Sequence, residues 1–339
     1  MAGVSSHIQL YKLLAVRAMT GKSDKDARRA TRRSDVGRGS GIALVLAVVG
    51  LLVAVGVAIA AISYASSANA GSDETVSSDG SVSREVVSDQ AASSSDVAPD
   101  SSSSSTDEAA RQADLELDPT RTTDWLDHSN GVKTVYLTFD DGPSENTEKV
   151  LDILDKYGAH ATFFVTGAMP NYYDMIGEAY RRGNTVGMHT FTHDYASCYA
   201  SVDAYFGDLD QIAQVIRDQI GYVPYLMRFP GGSSNTVSRR YCSGIMSTLA
   251  SELPARGYQY YDWNVSSGDG GGTLPVDELV ANSTAYGNFT NVILLCHDSS
   301  AKTTTVEALP QIIEYYQAQG FVFKAITRET VVVHHGIQN

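Results

Sequence analysis

The sequence predicts an α/β domain of about seven parallel strands curled into a distorted (β/α) barrel, preceded by a single transmembrane helix and a disordered linker. Composition divides the 339 residues so unevenly that one folded domain is expected, although length alone would allow two. In the C-terminal part, short β-branched or aromatic runs alternate with longer stretches of helical period, as strands joined by crossover helices do. The polar clusters fall just after the strand-like runs, where parallel α/β folds bind their ligands.

Residues 1–41 form a basic tail with nine Lys or Arg against three Asp. Residues 42–64 are uncharged and mostly Ala, Val, Leu, Ile and Gly. At about 1.5 Å rise per residue a helix of that length spans a bilayer's hydrocarbon core. Cations before the span and acids after it put the N-terminus in the cytoplasm and the remainder outside, on the membrane that the span anchors. The alternative is a signal peptide cleaved after Ala70, since Ala68-Asn69-Ala70 has the small residues of a processing site; cleavage would release the remainder. The run exceeds the usual apolar core of a signal peptide, so the span is preferred.

Residues 65–123 read as a linker: between 71 and 120 stand twelve acids, two bases and clusters of serine. Too little apolar surface is available to drive folding, and self-repulsion keeps such a segment extended. Residues 124–339 hold nearly all the aromatics and suffice for one core. The net charge of −14 argues against a nucleic-acid partner, which calls for a basic surface. Cys198, Cys242 and Cys296 are too few for a disulfide framework. Export permits one bridge, Cys198 to Cys242 among the options, and the sequence leaves the pairing open.

Strands are expected over 134–139, 161–165, 185–188, 225–228, 258–261, 292–295 and 322–324, with helices over 147–157, 172–182, 202–220, 237–256, 276–286 and 306–319. Seven strands fall one short of the eight-stranded barrel, hence the distorted barrel; a doubly wound open sheet is the runner-up.

Five strand ends carry the chemistry. Thr138-Phe139-Asp140-Asp141-Gly142-Pro143 places two carboxylates before a turn; adjacent side chains on a strand diverge, so one acid can bind a metal while the other acts as base. An Asp-Asp-Gly-Pro turn with solvated acids is the plain alternative. In His189-Thr190-Phe191-Thr192-His193, two imidazoles four apart converge on one cation if the turn between them is helical, and Asp141 supplies an oxygen ligand. Two histidines, a carboxylate and water make a catalytic zinc site with an open position. Arg228-Phe229-Pro230-Gly231-Gly232 offers a permanently charged fork that can orient Asp140 and keep it ionised, followed by glycines that let backbone N–H groups approach a ligand. The stretch from Tyr261 to Gly270 has aromatic faces for sugar rings, and its Asp269 can fix a histidine tautomer. Leu294-Leu295-Cys296-His297-Asp298 sets one histidine at a strand tip, the acid that the other clusters lack.

In order and approximate spacing, these strings resemble the polysaccharide deacetylases with the NodB-homology domain, over roughly residues 133–325, and His160-Ala161-Thr162-Phe163-Phe164-Val165 is similar to that family's second strand. The resemblance implies that Asp141, His189 and His193 hold a divalent metal, commonly zinc, that Asp140 is the general base and His297 the general acid. It implies that Arg228 pairs with Asp140 and Asp269 tunes His297. It implies further that Gly231 and Pro230 stand on the substrate side, with the Gly231 N–H as an oxyanion donor, and that Leu295 lines the acetyl-methyl pocket. The implied reaction is hydrolysis of N-acetyl groups on an extracellular polysaccharide. Two departures stand out, Gly270 where many members have Trp and Ser266 where many have Asp, and they open the groove wall there. A tethered, outward-facing enzyme meets its own cell wall first, which favours peptidoglycan N-acetylglucosamine over chito-oligosaccharides or acetylxylan. A carbohydrate-binding surface protein without turnover is the non-enzymatic alternative.

Overall fold

In a computed structural model of the chain, residues 101–122 and 126–339 are described, and they lie within one compact unit, Ser94–Asn339. The expected basic tail, the 42–64 span and most of the linker lie outside the described residues. Among the described residues, no helix is long and apolar enough to cross a membrane.

The element order is α1 (Ser101–Leu115), β1 (Thr134–Asp140), α2 (Thr147–Tyr157), β2 (Ala161–Val165), α3 (Asp174–Arg181), β3 (Thr185–Met188), α4 (Tyr195–Cys198), α5 (Val202–Ile220), β4 (Leu226–Met227), α6 (Ile245–Ala255), β5 (Gln259–Tyr260), β6 (Val265–Ser266), α7 (Val276–Ser283), β7 (Asn291–His297), α8 (Thr303–Ala318) and β8 (Val322–Phe323). All pairings in the sheet are parallel, in the order β5-β4-β3-β2-β1-β7-β6, and β8 pairs with the first two residues of β1. Because β1 pairs with β2 on one edge and with β7 on the other, the sheet curls back past its first strand. It stays open between β5 and β6. The architecture is therefore a curled half-barrel of seven parallel strands in one path, consistent with the expected distorted (β/α) barrel.

Every residue of β1 and β2 is buried, as befits strands covered on both faces. Helices α2, α5 and α8 supply Val150, Leu154, Leu209, Ile212, Leu309 and Ile312 to the core. The expected helices at 147–157 and 202–220 form with those bounds. The expected 237–256 helix is broken: a short 3-10 turn at Ser238–Arg240 is followed by Gly244 at φ +79°, from which α6 begins afresh. Strand β6 was not expected, because two residues are too few to show a period of two.

One expectation is corrected, and one open question is answered. The disordered linker does not reach residue 123, since α1 is ordered and docked. Leu115 is buried, and its carbonyl accepts from Tyr225 N at 2.9 Å. The Arg111 guanidinium lies 3.9 Å over the Tyr180 ring and donates to the Tyr180 carbonyl at 2.8 Å. Arg328 donates to the carbonyls of Asp114 at 2.7 Å and Glu116 at 2.9 Å, serving acceptors that a helix end leaves without partners. One buried leucine and two arginines thus hold a segment whose average composition is that of a spacer. Nor is any cysteine bridged: Cys198 and Cys296 are buried free thiols and Cys242 a half-buried one.

If α1 is part of the folded unit, Leu115→Ala will lower stability by about 2–4 kcal/mol, the usual cost of a buried leucine truncation, seen as a lower urea midpoint. An unchanged midpoint would mean that the helix is not docked.

Candidate active site

The C-terminal ends of β1, β3, β4 and β7, with the loop after β6, surround a cavity of about 340 Å³. Asp140, Asp141, His189, His193, Gly231, Leu295 and His297, all expected from sequence, line it. Arg228 and Asp269 lie behind this lining, fully buried. Pro230 was expected on the substrate side but does not reach the cavity, and its carbonyl accepts from Tyr199 Oη at 2.9 Å.

Divergent strand side chains would have separated the two aspartates, yet both face one cavity. Asp140 is the last residue of β1, and Asp141 leaves the strand at φ +70°, which swings its carboxylate back beside its neighbour's. The two histidines also converge without the expected helical turn. Thr190 at φ +70° and His193 at φ +50° fold the loop instead. Buried Asp208 holds that loop, accepting from Thr192 Oγ1 at 2.6 Å and from the N–H groups of Phe191 and Thr192.

Asp141 Oδ1 lies 3.6 Å from His189 Nε2 and 3.4 Å from His193 Nε2. His189 Nδ1 donates to the Arg228 carbonyl at 2.9 Å, so the lone pair of Nε2 faces the carboxylate. Asp141 Oδ1 is buried without a hydrogen-bond partner. Two acceptors face each other with no proton between them, and a cation resolves that conflict. Ligand atoms from Asp141, His189 and His193 lie within 4.8 Å of one another, so the set fits a divalent metal.

On the near side, Arg228 Nη1 donates to Asp140 Oδ1 at 2.7 Å, while Asp140 Oδ2 lies 3.7 Å from His189 Nε2. On the far side, His297 Nδ1 donates to Asp269 Oδ1 at 2.7 Å and turns Nε2 toward Asp141 Oδ2 at 4.0 Å. Asp269 also accepts from Ser267 Oγ at 2.7 Å and Thr305 Oγ1 at 2.9 Å.

A sequence model of the polysaccharide deacetylase family matches residues 127–244. Over 229 residues the chain is 30% identical to a peptidoglycan-N-acetylglucosamine deacetylase of Bacillus cereus, covering 66% of this chain and 79% of that one. The chain belongs to the polysaccharide deacetylase family. This deacetylase is accordingly a hydrolase acting on N-acetyl groups of polysaccharides. It superposes on the catalytic domain of a peptidoglycan N-acetylglucosamine deacetylase from Eubacterium rectale with a TM-score of 0.62 and 43% identity, over 66% of this chain and 100% of that one. A polysaccharide deacetylase from Bacillus cereus aligns with a TM-score of 0.52 and 29% identity, over 60% of this chain and 96% of that one.

The deacetylase drives its titratable groups apart. Burial, with neighbouring His193, pulls His189 down to about 3, so its ring is neutral. Burial also pulls His297 down, but the Asp269 hydrogen bond and charge, with Asp140 and Asp141, outweigh it and raise the imidazole to about 9. Burial raises Asp140 above the usual carboxylate range, against the pull of Arg228. The Arg228 charge and hydrogen bond work toward the ionised carboxylate, and desolvation works against it. Asp269, despite burial, is held low by His297 and Ser267.

Tyr195 and Trp263 line the cavity; Trp263 is among the aromatics of the Tyr261 to Gly270 stretch expected to face sugar rings, whereas Tyr195 carries no expectation from sequence. Burial pushes the Tyr195 phenol up to about 12, which keeps it a neutral donor. Asp208 was missed as well, although an acid on the buried stripe of α5, between Phe206 and Leu209, is a legible signal. Gly270 packs against His297, since a Cβ there would lie 3.0 Å from Cε1, and both Gly270 and Ser266 line the cavity.

The raised His297 has a thermodynamic consequence in chelator-treated protein. A folded value of about 9 against an ordinary 6.5 contributes stability fully present below pH 6.5 and lost as pH rises through 9. The contribution is on the order of 3 kcal/mol. Asp269→Asn should return the imidazole toward 6.5 in an NMR titration and flatten that part of the stability profile.

Proposed function

We propose that this chain is a membrane-tethered, zinc-dependent deacetylase that removes N-acetyl groups from extracellular peptidoglycan N-acetylglucosamine. The observation that carries the metal dependence is the unpartnered, buried Asp141 Oδ1 between two imidazole Nε2 atoms. The substrate assignment is supported by the relatives named as peptidoglycan-N-acetylglucosamine deacetylases. Tethering and export are supported by the 42–64 apolar span with cations before it and acids after it. On this reading 1–41 is the cytoplasmic tail, and the catalytic domain, α1 included, faces outward.

Asp141, His189 and His193 would hold the ion. A divalent cation there supplies Lewis acidity, polarising an acetamide carbonyl and lowering the pKa of water. Asp140, its Oδ1 fixed by Arg228, takes the proton of the attacking water on Oδ2. The Gly231 N–H and the neutral Tyr195 hydroxyl are the donors at the cavity wall assigned to the developing oxyanion. His297, protonated on Nε2 at neutral pH because of Asp269, gives its proton to the leaving amine. The carbon–nitrogen bond breaks, acetate leaves, and a free amino sugar remains. Leu295, on the same wall, offers an apolar surface for the acetyl methyl.

Incubating the chain with purified wall fragments, chito-oligomers and acetylxylan, followed by mass spectrometry, tests reaction and substrate together: the expected product is lighter by about 42 Da per acetyl group. Loss from chito-oligomers or acetylxylan alone would overturn the peptidoglycan assignment. Asp140→Asn should reduce turnover by at least about a hundredfold while zinc content by elemental analysis stays near one per chain. His189→Ala should lose the zinc itself. Glycan retention without acetate release in the unaltered chain would instead mean a binding protein.

A further inference from the structure

Between β5 and β6 the backbone still bonds to β4 at Tyr261, whose N–H donates to the Met227 carbonyl at 3.0 Å, and to β7 at Asn264, whose N–H donates to the Ile293 carbonyl at 3.1 Å. The gap without a strand partner is therefore at Asp262 and Trp263, where the indole enters the cavity wall. The segment 331–339 runs along this gap. Asp262 N donates to the Val333 carbonyl at 2.9 Å, and His335 N donates to Asp262 Oδ2 at 2.7 Å. His335 Nε2 donates to the Trp263 carbonyl at 2.7 Å, which leaves Nδ1 as the acceptor facing Ser234 Oγ at 3.4 Å. The imidazole meets the indole edge-on at 4.7 Å between ring centroids, and His334 stacks on Tyr260 at 3.6 Å. Farther along, Asn339 closes the segment onto the start of α6, accepting from Gly244 N at 2.8 Å and Ser247 N at 2.9 Å.

The opposite face of the same backbone is fixed by the site. The Asp262 carbonyl accepts from Arg228 Nη2 at 3.2 Å, and its buried carboxylate accepts from Ser233 N at 2.8 Å. Any side chain at Gly232 would come within 2.9 Å of the indole, so the ring lies against backbone there. Trp263 is therefore gripped between the Arg228 loop and the 331–339 segment, and only the second grip can change without touching Asp140.

We propose that 331–339 is a strap standing in for the missing strand pairing, and that His335 is a positioning residue that sets the Trp263 wall for binding the glycan. The inference rests on the glycan-deacetylase reading for its substrate but not for its geometry. The strap acts on sugar binding rather than on proton transfer, because toward the site its hydrogen bonds reach Ser233, Ser234, Asp262 and Trp263, while Asp140 and His297 are held by Arg228 and Asp269.

The test uses the full chain with Trp125→Phe, which makes Trp263 the sole indole of the 2 present. In His335→Ala, Trp263 emission should shift to the red, and KM for an N-acetylglucosamine oligomer should rise about fivefold with kcat changed less than about twofold. His335→Gln, whose amide can still donate to the Trp263 carbonyl, should restore both. In a Trp263→Ala background, His335→Ala should raise KM no further. If His335→Ala fails to fold, His335→Phe keeps the ring packing without the donor and should show the same emission shift. Unchanged emission, or a KM rise that persists in full without Trp263, would overturn the strap. Emission requires no turnover, so a chain that released no acetate would defeat the functional reading and leave this test decisive.

Discussion

The buried Arg228 guanidinium is the interaction on which the site depends. It is fully enclosed, and each of its nitrogens has a partner: Nε on the Tyr261 carbonyl, Nη1 on Thr138 Oγ1 and Asp140 Oδ1, Nη2 on the Asp262 carbonyl. Its own carbonyl fixes His189. A charge in such a place is tolerable only when paired and hydrogen-bonded throughout, because the desolvation cost of an unpaired ion is several kcal/mol. That requirement ties together β1, the loop after β3, the loop after β4 and the loop after β5 in one register. Phe164, 4.3 Å from the guanidinium carbon, closes the remaining face.

From this anchor the backbone distortions around the cavity make sense. Asp141, Thr190 and His193 all occupy the left-handed region, each at a cost of roughly 1–3 kcal/mol. Such conformations persist where surrounding bonds over-determine them. Asp208 holds the histidine loop through four donor contacts from Phe191 and Thr192. Asp298 braces the turn after Asp141, accepting from Thr147 Oγ1 at 2.6 Å, while its carbonyl accepts from Ser144 Oγ. Burial raises Asp298 to about 7, so this brace too is a group displaced from its ordinary ionisation. Strain and buried acids thus occur together, and both serve to point four side chains at one centre.

The sequence made the reactive side chains legible but not their supports. Asp140, Asp141, His189, His193 and His297 follow apolar runs that alternate with amphipathic helices, so residue type and position sufficed to find them. The missed contributors, Asp208, Asp262 and His335, act through bonds between residues distant in sequence, such as His335 N to Asp262 at a separation of 73. No local pattern encodes such a contact. Pro230 failed for the converse reason: membership of a reactive string was taken for a position in the cavity, whereas its carbonyl turns to Tyr199. The boundary of the domain was misplaced because composition averages over a window, and α1 is held by a few residues that the average hides.

The electrostatics of His189 and His297 show how one cavity can hold the same ring in two protonation states. His189 and His297 are both strongly desolvated, which by itself favours the neutral ring in each. They separate because of what their Nδ1 atoms meet. His189 gives its Nδ1 proton to a carbonyl, which carries no net charge to hold a second proton on Nε2. His297 gives its Nδ1 proton to the carboxylate of Asp269, and that charge is sustained in turn by Ser267, Thr305 and the His297 N–H. A neutral partner therefore leaves the ring neutral, and an anionic partner keeps it protonated.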